Sequence, residues 1–123
     1  MLKYIILFFS VMIFLSACKQ DKTPAGILSK PRMISLLTQV HIVDGSLYTS
    51  QQEPDTLYKY GLGKYLALFK RYHTDSAEFK RSMSYYATQP AELLKMYDQI
   101  TLTLRQKTDS LNKIQYKQHA VSK

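Results

Sequence analysis

From residue 30 onward, apolar residues recur mostly at steps of three and four, the period of amphipathic helices. Met33, Leu36, Leu37, Val40, Val43 and Leu47 form a first stripe. Ser29 suits the N-cap of this helix and Pro31 its first turn. Gly45 weakens its last turn by up to about 1 kcal/mol. The polar stretch 49–54 reads as a loop. A second stripe, Tyr58, Leu62, Tyr65, Leu66, Phe69 and Tyr72, predicts a helix from Asp55 or Thr56 to about Tyr72. Gly61 and Gly63 inside it cost roughly 2 kcal/mol against alanine. Either this helix starts late, or the glycines admit a closely packed neighbour.

The pattern breaks at 73–75. Asp75 and Glu78 have the spacing of a capping box, with Asp75 as the cap. A third helix then runs from about Ser76 to Thr88, with Phe79, Met83 and Tyr86 inward and Tyr85 half exposed. Gln89-Pro90 closes it, because the residue before proline avoids the helical region. Pro90 opens a fourth helix, with Glu92 near its positive end. Leu93, Tyr97, Ile100, Leu104, Leu111 and Ile114 keep one face to about Lys117, roughly 40 Å of helix. Packing inside one chain and pairing with a second copy both account for that stripe. The prediction is an all-α domain of about four helices, the last one long, with no strand alternation and no internal repeat.

The N-terminus has a different pattern. Lys3 precedes an apolar run from Tyr4 to Leu15, broken only by Ser10. At about 12 residues it is shorter than the roughly 18–20 that cross a hydrocarbon core as a helix. It has the layout of a cleaved secretory signal. The exit, Leu15-Ser16-Ala17-Cys18, resembles the lipobox of bacterial lipoproteins. That resemblance implies cleavage before Cys18, a thioether-linked diacylglyceryl group on its sulfur and an acylated amine, palmitate being a typical chain. One acyl chain holds a protein to a membrane only reversibly, whereas several hold it durably. The domain plan expected is therefore a signal peptide at 1–17, the lipidated cysteine and a flexible tether at 18–29, a helical domain at 30–117 and a disordered tail at 118–123.

The chain has 123 residues, so removal of the first 17 leaves 106, enough for one small domain. Its 17 basic and 9 acidic residues give a net charge of +8. In an exported, tethered protein this favours anionic head groups or acidic glycans over nucleic acid, and no nucleic-acid partner is expected. The single cysteine excludes an internal disulfide framework.

Leu68-Phe69-Lys70-Arg71-Tyr72-His73, Phe79, Ser84-Tyr85-Tyr86, Pro90, Leu93 and Met96-Tyr97-Asp98 follow one another between Gly61 and Leu104. Lys30-Pro31, Met33 and Val40-His41-Ile42-Val43-Asp44 precede them. Together they resemble the family catalogued as domain of unknown function 4296, small lipoproteins of the Bacteroidetes, over most of 30–104. The resemblance implies an envelope lipoprotein with a helical domain, and it carries no reaction, ligand or catalytic residue. The outer membrane is preferred over the inner as the site of anchoring.

Candidate chemistry is sparse. His41 and Asp44 share a helical face. A competent zinc site needs three or four ligands, and no second pair at helical spacing is evident. Asp75 has a capping role and His73 lies in the turn before it. Nothing resembles a nucleophile elbow or a Gly-rich phosphate loop. No enzymatic activity, catalytic residue, metal or cofactor is expected. Tyr85 with Arg81 and Lys80 on the third helix is the expected partner surface, since aromatic rings beside cations suit an envelope protein. The alternative is a binding module for a small molecule, a glycan or a lipid head group, for which a buried polar group without a structural partner would be the sign. His41 is the residue to inspect.

Overall fold

The structure is a computed structural model and describes residues 1–6, 23–50 and 52–121. Most of the expected signal peptide, and Cys18, lie outside the described residues. Four helices build the domain: α1 (Lys30–Tyr48), α2 (Pro54–Arg71), α3 (Ser76–Ala87) and α4 (Pro90–Val121). Residues 2–6 are also helical, and no strand occurs among the described residues. The all-α class read from the periodicity is therefore what is observed.

Local chemistry sets most helix ends. Ser29 occupies the N-cap of α1 but its hydroxyl makes no cap hydrogen bond, so the first-turn proline is the local start signal there. Pro54 is within the first turn of α2, just ahead of the expected start, because a proline there has no N–H that the helix needs. The Asp75 carboxylate accepts from the Glu78 N–H at 2.7 Å and caps α3. The Glu78 carboxylate accepts from the Thr74 hydroxyl at 2.5 Å. Helix α2 stops in a Schellman motif: the Thr74 N–H donates to the Phe69 carbonyl and the His73 N–H to that of Lys70. His73 takes the left-handed conformation this requires, with φ of 51°. Arg32 closes the same end, its Nη2 donating to the Tyr72 carbonyl at 2.8 Å.

Helix α1 is the centre of the bundle and packs against both α2 and α4, while α3 packs on α4. Met33, Leu36 and Leu37 of α1 meet Leu68 and Phe69 of α2, Tyr86 of α3, and Met96 and Ile100 of α4 in one core. The Lys30 ammonium bridges the starts of α1 and α4 through Glu92 at 2.8 Å. Lys30 and Lys95 hold the Glu92 carboxyl below its ordinary range, chiefly through hydrogen bonds.

Three expectations need correction. The segment before α1 is not a free tether up to Ser29, because Leu28 is in the core at 1% exposure. Its N–H donates to the buried Ser82 hydroxyl at 2.8 Å, and its carbonyl accepts from the Tyr86 hydroxyl at 2.8 Å. The turn that brings it in passes through Gly26 at φ of 77°. Only half of the expected α2 stripe faces inward: Phe69 is in the core, and Tyr65 and Tyr72 pack against it. Gly61, Leu68 and Phe69 are buried, whereas Tyr58, Leu62 and Leu66 are exposed. Finally, α4 continues through Val121, past the expected end at Lys117, since no glycine or proline interrupts it.

Candidate functional site

The exposed Tyr58 and Leu62 of α2 leave an apolar surface beside α1. Leu47, near the end of α1, reaches across to α2 at Gly61. A Cβ built on Gly61 would lie 3.1 Å from Leu47 Cδ1, so the missing side chain allows the close approach. Leu57, Tyr58 and Leu62 then cannot all turn inward. With Leu47, Pro54, Gly61 and Tyr65 they line an open groove of about 440 Å³. The lining carries no carboxylate, amine or cysteine. Its size is within the range of small-ligand sites, but it lacks the converging polar groups that orient a polar metabolite.

The polar groups stand at one edge. The Tyr65 hydroxyl donates to the Asp44 carboxylate. Burial first, then this bond and the Asp44 charge, push the Tyr65 phenol up to about 12. His41 Nδ1 is 3.8 Å from the other oxygen of Asp44. The His41 ring leans on Tyr97 of α4, with centroids 5.6 Å apart at 57°. Its Nε2 is buried and has no hydrogen-bond partner among the described residues. Lys64 donates to Ser46 at 3.4 Å and has its ammonium 4.7 Å from the centre of the Tyr60 ring. These contacts tie α1 to α2 alongside the groove.

His41 and Asp44 are thus together, as their spacing requires, but no group of three or more potential metal ligands occurs among the described residues. Tyr65 is the third member of the edge, and sequence spacing gave no hint of it because it lies on another helix. His73 and Asp75 are separated in role: one terminates α2 and the other caps α3.

The expected partner surface on α3 lies elsewhere. Lys80 and Arg81 are exposed. Arg81 extends over the turn at Gly26, where its Nε is 3.9 Å from the position of a Cβ. Tyr85 is half-buried and packs edge-on against Tyr86, with centroids 5.2 Å apart. Its ring is partly committed to the fold, while the two cations remain available to a partner. Exposed aromatic area is greater beside the groove, where Tyr58 is 73% exposed and Tyr48 93%.

The family model described as Domain of unknown function (DUF4296) matches residues 24–110. The match begins at the segment that folds back onto α3 and ends within α4. No curated protein and no solved structure matches the chain.

Proposed function

This chain belongs to the DUF4296 family, and we propose that it is a lipid-anchored lipoprotein of the cell envelope whose helical domain captures a protein partner. The role is accessory or structural, without catalysis. The lipobox-like run Leu15-Ser16-Ala17-Cys18 supports the anchor. No helix among the described residues is long and apolar enough to cross a membrane. In this reading acyl chains on Cys18 hold the protein to the membrane, with the outer membrane preferred.

The observation that carries the partner reading is the apolar groove between α1 and α2. A pocket lined by leucine, proline and tyrosine rings, with exposed tyrosine at its rim, suits an apolar anchor side chain from another protein, the arrangement found where binding energy is concentrated. Lys80 and Arg81 on α3 supply a separate basic patch for long-range attraction. The second reading is a small apolar molecule or lipid in the same groove, favoured by its volume of about 440 Å³.

In-cell crosslinking followed by affinity capture tests both readings. Leu62→Lys places a charge at a position already 48% exposed, so it alters the groove with little effect on the core. Loss of one specific envelope protein with Leu62→Lys, but not with Arg81→Ala and Tyr85→Ala together, identifies the groove as its site. The reverse result moves recognition to α3. No protein above background in any form removes the adaptor reading and leaves the lipid reading, tested by extraction of bound lipid. Labelling with an alkynyl palmitate that persists in Cys18→Ala would refute acylation at Cys18.

A further inference from the structure

The apolar stripe of α4 is longer than the domain it packs against. Written as a heptad, Tyr97, Leu104, Leu111 and Gln118 occupy one seam position. Leu93, Ile100, Lys107, Ile114 and Val121 occupy the other. The first part of this seam is used within the chain: Ile100 is buried, and Leu93, Tyr97 and Leu104 pack against the core. The second part is not. Every residue from Arg105 to Val121 is exposed. Leu111 remains 61% exposed, Ile114 52% and Val121 87%. The projecting stretch is roughly 25 Å long at 1.5 Å per residue.

We propose that this projecting seam pairs antiparallel with the same seam of a second copy of the chain. Three observations select that occupant and that direction. First, the residue pattern is self-complementary when reversed. Centring the pair between Leu111 and Ile114 sets Leu111 against Ile114 of the partner subunit. The same register sets Val121 of the partner subunit against the part of Leu104 that the core leaves uncovered, and Lys107 against Gln118 of the partner subunit. Apolar residues meet apolar ones and the single seam cation meets an amide. In a parallel pair Lys107 would face Lys107 of the partner subunit, and like charges would oppose each other in the seam. Second, the seam continues directly from the face that α1 covers, where Tyr97 meets His41. A parallel partner helix would run back into α1. An antiparallel one carries its own domain to the opposite end of the overlap.

Third, the flanks suit close approach of an identical helix. Thr101, Thr103, Thr108, Ser110, Gln115 and Lys117 border the seam, with only one charge among them. Thr103, Thr108 and Ser110 already donate their hydroxyls to backbone carbonyls one turn earlier, at 2.9, 3.0 and 2.9 Å. They ask nothing of a partner and take little space. Arg105, Asp109 and Lys113 lie on the outer positions, away from the seam. This surface is separate from the groove, and the inference stands whether or not the groove binds a protein or Cys18 is acylated.

Oxidative cross-linking of the full chain in cells tests register and direction together. Two tagged copies are co-expressed, one Lys107→Cys and the other Gln118→Cys. The antiparallel register brings these positions within disulfide reach. Copies of Lys107→Cys alone are then roughly 16 Å apart and do not join. The control pair Arg105→Cys with Ala120→Cys has the same register but lies on the outer face. The expected result is a cross-linked mixed dimer for 107 with 118 and background for both controls. Leu111→Glu with Ile114→Glu should lower that yield at least about tenfold. Dominant joining of Lys107→Cys to itself would overturn the proposal in favour of a parallel pair. A mixed yield no higher than the outer-face control would overturn self-pairing altogether. Membrane fractionation of the same cells reports separately on the anchor.

Discussion

Ser82→Ala isolates what holds the N-terminal segment to the domain. The Ser82 side chain is fully buried. Its oxygen accepts from the Leu28 N–H at 2.8 Å and donates to the Glu78 carbonyl at 2.8 Å. Alanine leaves the Leu28 N–H buried without an acceptor, at a cost of about 1–3 kcal/mol. The Glu78 carbonyl keeps its place in the α3 ladder, so its loss is small. Better helix propensity for alanine returns about 0.5 kcal/mol. The net effect is a destabilisation of about 0.5–2.5 kcal/mol, or roughly 2–20 °C in Tm for a domain of this size.

Thermal unfolding followed by circular dichroism measures the shift in the purified chain, with Ser84→Ala on the exposed side of α3 as the control. Tyr86→Phe removes the other bond to the same residue and should cost about 1 kcal/mol. Because both variants act on Leu28, their effects should not add, and a double-mutant cycle should show coupling of at least about 0.5 kcal/mol. Amide exchange at Leu28 should accelerate in Ser82→Ala while that of the α1 core residues follows global stability. A Tm for Ser82→Ala equal to that of the control would refute the claim that this hydroxyl pins the segment.

Gly63→Ala, with open space around its Cβ position, should stabilise by up to about 1 kcal/mol in chemical denaturation, and Gly61→Ala should gain less because Leu47 must yield. His73→Gly should stabilise by about 0.5–1 kcal/mol, since it relieves the left-handed side chain at φ of 51° against some added freedom in the unfolded chain. Tyr65 should ionise late: its folded value of about 12 is above the ordinary 10.0, so the unfolded chain releases that proton first. Its contribution to stability is complete below pH 10 and is lost as pH rises towards 12, and Tyr65→Phe should flatten that part of the unfolding-versus-pH curve.

Helix ends were legible because short-range chemistry makes them. A proline in the first turn, an aspartate three residues before an exposed N–H and a Gln-Pro step act within one turn of chain. Helix facing was legible only where the inward positions carry apolar side chains. In α2 the key inward position is Gly61, which adds nothing to an apolar pattern, so a stripe that holds the inward Tyr65, Phe69 and Tyr72 also takes in Tyr58, Leu62 and Leu66, which face outward. That mixture concealed the groove. Leu28 escaped for another reason. It is one of two adjacent apolar residues in a polar, Pro- and Gly-containing stretch, and its partners Ser82 and Tyr86 are more than fifty residues away.

Periodicity reports that one face of a helix is apolar, but not what covers it, and α4 shows the difference within a single element. Up to Leu104 the cover is the chain's own core, so a change there should act on stability. Beyond Arg105 the same stripe meets solvent, so a change at Leu111 or Ile114 should act on association and leave the unfolding of the monomer nearly unaltered. Association through a seam this short would be weak in free solution. Acyl chains on Cys18 would change that balance by confining copies to one surface, where the effective concentration far exceeds that of the bulk. The anchor and the seam then act on the same equilibrium. Cys18→Ala should lower the yield of the Lys107→Cys with Gln118→Cys cross-link at equal expression without changing which positions join. A shift in register on losing the anchor would refute the view that the anchor sets local concentration while the seam alone sets geometry.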